Sequence, residues 1–138
     1  MGLFEWIGES FNPGPIGSMD IGAKNRTFRT NGVVLLRLFF ALILIGAVYY
    51  LTFSGFYELT IKNATIVSGI LLAYLIIGYF VRPEPDTSNL GWLGGLMNNP
   101  FRFSDDINRF LIFLKIALLP GSFLAESLLD GLQLLCRR

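Results

Sequence analysis

Two uninterrupted apolar stretches dominate the pattern of hydrophobic and polar positions along the chain. The first, 33–53, is apolar apart from Arg37 and Thr52, and the second, 64–81, contains no charged residue. A helix that rises ~1.5 Å per residue needs about 20 residues to cross a bilayer. Both stretches are close to that length. Because only the short segment 54–63 separates them, the sequence predicts two membrane-spanning helices that form an antiparallel hairpin.

The N-terminal segment, 1–32, has a shorter pattern of its own. At helical spacing its apolar side chains share one arc, and Glu5 and Glu9 lie on the other. We expect an amphipathic helix there, followed from Pro13 to Gly22 by an extended connector. An acidic face is repelled by anionic lipid, so docking on a protein partner is favoured over interfacial packing. The residues expected to bind that partner are Phe4, Trp6 and Ile7.

The segment after the second stretch, 82–103, is rich in Gly, Pro and Asn and predicts a loop on the same side as the N-terminus. Its middle carries Leu90, Trp92, Leu93, Leu96 and Met97. A segment this apolar is not expected to be a solvated linker. It lies either at the lipid interface or against a neighbouring subunit, which it would contact through Trp92.

The C-terminal segment, 104–138, begins with a helix-start signal at Ser104. The sequence predicts one helix from Ser104 to Leu119, a break at Pro120 and Gly121, and a second helix capped by Ser122 that ends near Cys136. We expect this helix–Pro-Gly–helix unit to lie at the membrane interface or to dip in and return. A kinked third span and burial inside a partner complex are the alternatives.

Composition supports a membrane protein and removes several kinds of site. Of the 138 residues, 53% are hydrophobic and 15% are charged, and there is no histidine and one cysteine. These counts exclude Ser-His and Cys-His catalysis, multi-cysteine metal sites and an intrachain disulfide. A net charge of +1 gives no indication of nucleic-acid binding. We expect no enzyme activity, no cofactor, no metal and no small-molecule substrate.

The distribution of basic residues predicts the orientation. Lys24, Arg26, Arg29 and Arg37 precede or open the first span and Arg82 follows the second, whereas the hairpin loop has Lys62 alone. The positive-inside rule therefore places both termini on the cytoplasmic side. The expected location is a bacterial inner membrane or an organellar inner or thylakoid-type membrane.

Few charged residues lie within the apolar segments. Arg37 is the only one in the two predicted spans, about one turn in, where its side chain can reach lipid headgroups or a partner. Glu126 and Asp130 lie four residues apart on the last helix and suggest a solvated or subunit-facing edge more than a cation or proton-transfer site.

The apolar surface outside the spans indicates a function in assembly. We expect an all-α integral membrane protein that serves as a non-catalytic accessory or scaffolding subunit of a larger membrane complex, with lipid and other membrane subunits as partners. On the last helix the expected contacts are Leu128, Leu132 and Leu135. The alternative is a small self-oligomerising protein, holin-like or channel-like, although the hairpin lacks the polar stripe that a pore needs.

Overall fold

A computed structural model of the chain describes residues 14–23, 29–87 and 103–136, and within that part it is mostly helical. The elements in chain order are β1 (Ser18–Ile21), α1 (Asn31–Gly55), α2 (Ile61–Phe80), β2 (Val81–Glu84) and α3 (Phe103–Cys136). All three helices are long and apolar enough to cross a membrane. The expected mainly helical, membrane-compatible chain is therefore confirmed at that level.

Helices α1 and α2 coincide with the two predicted spans. α1 runs a few residues further at each end, and α2 begins earlier than its apolar stretch, at Ile61. The early start has a local cause, because the Thr60 hydroxyl accepts a hydrogen bond from the backbone N–H of Asn63 at 3.3 Å. A threonine side chain in this position satisfies one of the unpaired N–H groups of the first helical turn.

The C-terminal segment differs from the prediction. It forms one helix, α3, with Pro120 inside it, so the expected break at Pro120–Gly121 and the second cap at Ser122 are wrong. Proline removes a backbone donor and usually ends or kinks a helix. Here the next backbone N–H, that of Gly121, donates to the Tyr74 hydroxyl of α2 at 3.1 Å. A neighbouring helix that takes up backbone groups is the usual reason why proline is tolerated within apolar helices.

The chain divides into two compact units, each considered by itself. The first comprises the described residues of 1–22 and 81–117, and the second those of 23–80 and 118–138, so α3 contributes to both. In the first unit β1 and β2 pair antiparallel, with Ser18 opposite Glu84 and Ile21 opposite Val81. The sequence predicted an extended connector and a loop for these segments but not their pairing. Arg82 and Asp20, which face each other in the register, form an ion pair of 2.8 Å.

Asn108 of α3 fastens both strand-bearing segments in the first unit. Its carboxamide oxygen accepts hydrogen bonds from the backbone N–H of Gly17 (2.8 Å) and of Asp86 (3.2 Å), and its amide nitrogen donates to the Pro15 carbonyl (2.9 Å). The side chain is 2% exposed. Gly17 has no room for a side chain, since a Cβ there would lie 2.6 Å from the Asp86 nitrogen. One buried amide thus satisfies three backbone groups from two segments.

We predict that Asn108→Ala destabilises the protein by at least about 2 kcal/mol, because a buried polar group left without its partner costs about 1–3 kcal/mol. Denaturant unfolding in detergent measures the loss. The matched control is Asn63→Ala, which removes an exposed side-chain hydrogen bond to the Glu58 carbonyl and should cost less than about 1 kcal/mol. Equal losses at the two positions would contradict the role assigned to Asn108.

Candidate functional site

Four charged side chains meet in the second unit, and we call them the charge cluster: Arg29, Arg37, Glu126 and Asp130. Arg29 precedes α1, and Arg37 lies within its first two turns. Glu126 and Asp130 are four residues apart on α3, a spacing that brings two side chains to one face of a helix.

The ion pairs of the cluster are continuous. Glu126 Oε2 accepts from Arg29 Nη2 at 3.0 Å and from Arg37 Nη2 at 3.2 Å, and Asp130 Oδ2 accepts from Arg29 Nη1 at 2.6 Å. Arg29 therefore bridges both carboxylates, and Glu126 bridges both arginines. Two positive and two negative charges leave the cluster neutral in sum.

Uncharged groups complete the surroundings of Arg37. Its Nε lies 3.4 Å from the Ser127 hydroxyl oxygen, and its guanidinium carbon lies 5.0 Å from the centre of the Phe123 ring. A cation over an aromatic face is attracted by the ring quadrupole. Ser127 is fully buried, and its hydroxyl donates to the Phe123 carbonyl at 2.6 Å. The same turn of α3 thus supplies a hydroxyl, a ring and a carboxylate to one arginine.

The cluster is largely shielded from water. The exposed fractions of the side chains are 24% for Arg29, 19% for Arg37, 11% for Glu126 and 13% for Asp130. Charges that lose water need partners, and removing one member of such a pair leaves an uncompensated charge. Burial by itself lowers the pKa of Arg29, but hydrogen bonds and attraction from Asp130 and Glu126 outweigh it, so the pKa is raised. Arg29 therefore stays charged within the cluster.

Glycines bring α3 close to the hairpin on both sides of the cluster. A Cβ at Gly78 of α2 would lie 2.7 Å from the backbone nitrogen of Ser122, and one at Gly121 would lie 3.0 Å from the Tyr74 ring. A Cβ at Gly131 would lie 3.1 Å from the Leu38 side chain. Small residues allow helix backbones to approach closely in apolar surroundings. These glycines allow α3 to approach both α1 and α2 closely on either side of the cluster.

All these contacts lie at one end of the hairpin. We call it the open end, because it is where the chain enters α1 and leaves α2. Residues 121–131 of α3 meet α1 and its approach at 29–38, and α2 at 74–78. We call the other end, where residues 56–60 connect α1 to α2, the closed end. Nearer the closed end, the Tyr49 and Ser68 hydroxyl oxygens lie 2.7 Å apart and link α1 to α2. Residues 121–131 correspond to roughly 15 Å of helix. Over this length α3 contacts the same end of both α1 and α2, which is the pattern expected of a helix that crosses them.

The arrangement is better suited to holding helices together than to binding an ion. The carboxylate oxygens face guanidinium groups, which compete with any cation for them. Among the described residues, no group of three or more histidine, cysteine, aspartate or glutamate side chains has the geometry to hold a metal ion. The chemistry on offer is charge pairing between segments distant in sequence.

The residues predicted from the sequence have different outcomes. Phe4, Trp6, Ile7 and Trp92 lie outside the described residues. Leu132 and Leu135 are exposed, at 57% and 71%, and Leu128 is half-buried. Binding of a partner by these residues stays a prediction, as does lipid or partner contact by Arg37, which pairs with Glu126 within the chain. Glu126 and Asp130 do not form a solvated edge, because both side chains are mostly buried against arginines.

Arg29, Ser127 and Tyr74 were not predicted. Arg29 was counted only as one of the basic residues that orient the chain, although Arg29 and Arg37 match in number the two carboxylates in the second half of α3, Glu126 and Asp130. That match was a usable signal. Nothing local in the sequence indicates that the Tyr74 hydroxyl accepts from Gly121, since 47 residues separate the two.

Comparison of the chain with family models, curated proteins and solved structures finds no match.

We predict a strong energetic coupling between Arg29 and Asp130. In a double-mutant cycle with Arg29→Gln and Asp130→Asn, the coupling in the free energy of unfolding should be about 1–3 kcal/mol, because each single change strands a partly buried charge. The matched control is Arg82 with Asp20, whose side chains are 31% and 56% exposed. An exposed pair should give about 0.2–1 kcal/mol. A coupling in the cluster no larger than in the control would contradict its assignment.

Proposed function

We propose that this chain is a non-catalytic subunit of a larger membrane complex, which it stabilises or scaffolds through apolar helix surfaces. The observation that supports this proposal is the internal use of charge. Glu126 and Asp130 are the acidic residues in the last part of α3, and both bind arginines of the same chain. The polar stripe that would line a water-filled pore in a self-assembled ring is thus occupied, which favours a subunit over a channel-like oligomer.

The exposed apolar side chains at the end of α3 are the proposed docking surface. Leu132 and Leu135 lie three residues apart, so they share one face of the helix. They follow the charge cluster directly, and the cluster holds that part of α3 against the hairpin. A face held in place on a rigid helix can bind with less loss of conformational freedom than a free segment. Other membrane subunits and lipid are the proposed partners.

The proposed topology has two spans, α1 and α2, with α3 at the interface on the side of the N-terminus. It is supported by the position of the α3 contacts, which involve residues 29–38 and 74–78 at the open end. An interfacial helix lies about 5–10 Å deep, and Arg37 is within two turns of the α1 start. Following the positive-inside rule, we place this side in the cytoplasm of a bacterial inner membrane or its organellar equivalent.

We predict that cysteines at the two ends of the hairpin label from opposite sides of the membrane. In a Cys136→Ser background, Gly55→Cys should react with an impermeant thiol reagent from outside, and Ser18→Cys should react only after permeabilisation. The reason is the excess of arginine and lysine around the open end. Labelling of Ser18→Cys from outside in sealed cells would reverse the orientation.

We predict that changing Leu128, Leu132 and Leu135 to Gln releases the chain from its complex but leaves it in the membrane. A buried large apolar side chain contributes about 1.5–3 kcal/mol, and ~1.4 kcal/mol is tenfold in affinity, so the loss should be several orders of magnitude. Native mass spectrometry after mild detergent extraction measures the unlike partners that remain bound.

The matched control changes three exposed apolar residues near the closed end, Phe56, Leu59 and Ile61, to Gln. The control protein should keep its partners. Wild-type stoichiometry in the Leu128, Leu132 and Leu135 variant would contradict the docking surface. A closed ring of identical chains in the wild type would contradict the subunit proposal and favour the channel-like alternative.

A further inference from the structure

Helix α3 combines the composition of a membrane span with contacts at one end of the hairpin. The mean hydropathy of its apolar part is 1.7, close to the 1.8 of α2. The stretch Asp106–Cys136 is also long enough to cross a bilayer. Yet residues 121–131 meet α1 and α2 at the open end. Hydropathy alone does not separate α3 from α2, so another feature must keep α3 from crossing.

The charge cluster is the feature that distinguishes the two helices. α2 carries one charged residue, Lys62, in its first turn. α3 carries four charged residues in its first half, Asp105, Asp106, Arg109 and Lys115, and two in its second half, Glu126 and Asp130. Between Lys115 and Arg137 these two carboxylates are the only charged side chains. Carrying a carboxylate through the bilayer is costly, and the cost is avoided if it stays near the interface with a cationic partner.

We infer that the charge cluster is a topology latch. While Glu126 and Asp130 are bound to Arg29 and Arg37, α3 is held across the open end of the hairpin and the C-terminus stays on the side of the N-terminus. Without the two carboxylates, α3 has no charge between Lys115 and Arg137 and crosses the membrane as a third span. The inference rests on the two-span topology proposed above.

The geometry gives the arginines and the carboxylates of the latch different roles. Arg29 reaches both carboxylates, at 3.0 and 2.6 Å, so it holds one face of α3 at two consecutive turns. Arg37 adds a second bond to Glu126 from within α1, at 3.2 Å. The arginines hold α3 in place, and the carboxylates also oppose its entry into the bilayer. Removing the arginines should therefore loosen α3 without letting it cross.

Cys136 makes the inference testable in the native chain. It is the only cysteine, it is exposed, and it is the last residue of α3. In sealed vesicles of known orientation, an impermeant maleimide should label Cys136 of the wild type from the side where it labels Ser18→Cys in a Cys136→Ser background. In the variant Glu126→Leu with Asp130→Leu, labelling should move largely to the opposite side. The milder pair, Glu126→Gln with Asp130→Asn, should move it in the same direction to a smaller extent.

The matched variant removes the other half of the latch. With Arg29→Gln and Arg37→Gln, Cys136 should keep its side, because the unpaired carboxylates still oppose crossing. Docking is then read separately in a Cys136→Ser background by a disulfide between Leu38→Cys and Gly131→Cys, which replace residues in close approach. That crosslink should form readily with the cluster intact and fall at least several-fold in the arginine variant.

Three results would overturn the latch. One is labelling of wild-type Cys136 from the side opposite Ser18→Cys, which would make α3 a span despite its charges. The second is unchanged labelling of Cys136 in both carboxylate variants. If the leucine variant does not accumulate in the membrane, the result of Glu126→Gln with Asp130→Asn decides. The third is an undiminished crosslink in the arginine variant. Labelling and crosslinking need no partner protein, so these results are independent of the subunit proposal.

Discussion

The cost of placing a charge in apolar surroundings governs this structure. A charged side chain that is shielded from water by apolar helices needs an opposite charge as its partner. Arg29, Arg37, Glu126 and Asp130 meet one another at the open end of the hairpin. The position of α3 against α1 and α2 follows from this meeting, and Gly78, Gly121 and Gly131 make the approach sterically possible.

Sequence reasoning succeeded where the information is local and failed where it is distant. Helices α1 and α2 were predictable because each contains a continuous apolar run. The earlier start of α2, at Ile61 after Thr60, was missed although its signal is short-range. The break predicted at Pro120 was wrong because the group that accepts from Gly121 belongs to another helix. The β1–β2 pairing was missed for the same reason, since Asp20 and Arg82 are 62 residues apart.

The charge cluster lies between these two cases. Arg37, Glu126 and Asp130 were each recognised as unusual, but no local pattern joins residues that are 89 or more positions apart. Comparing Arg29 and Arg37 with the two carboxylates between Lys115 and Arg137 would have suggested the match. Asn108 offered no such signal, because an asparagine in a helix is equally compatible with solvent exposure, and only the folded chain brings the Gly17 and Asp86 backbone to it.

The four charges of the cluster are used within the chain, and the exposed leucines that follow them on α3, Leu132 and Leu135, are the surface proposed for other molecules. Paired charges hold the last part of α3 against the open end of the hairpin. Site-directed spin labelling at successive positions from 118 to 136 in lipid bilayers measures how deep this segment lies. We expect shallow depths, within about 10 Å of the interface, that oscillate with a period of about 3.6 residues. A depth that passes through the bilayer centre and emerges on the far side would contradict this placement of α3.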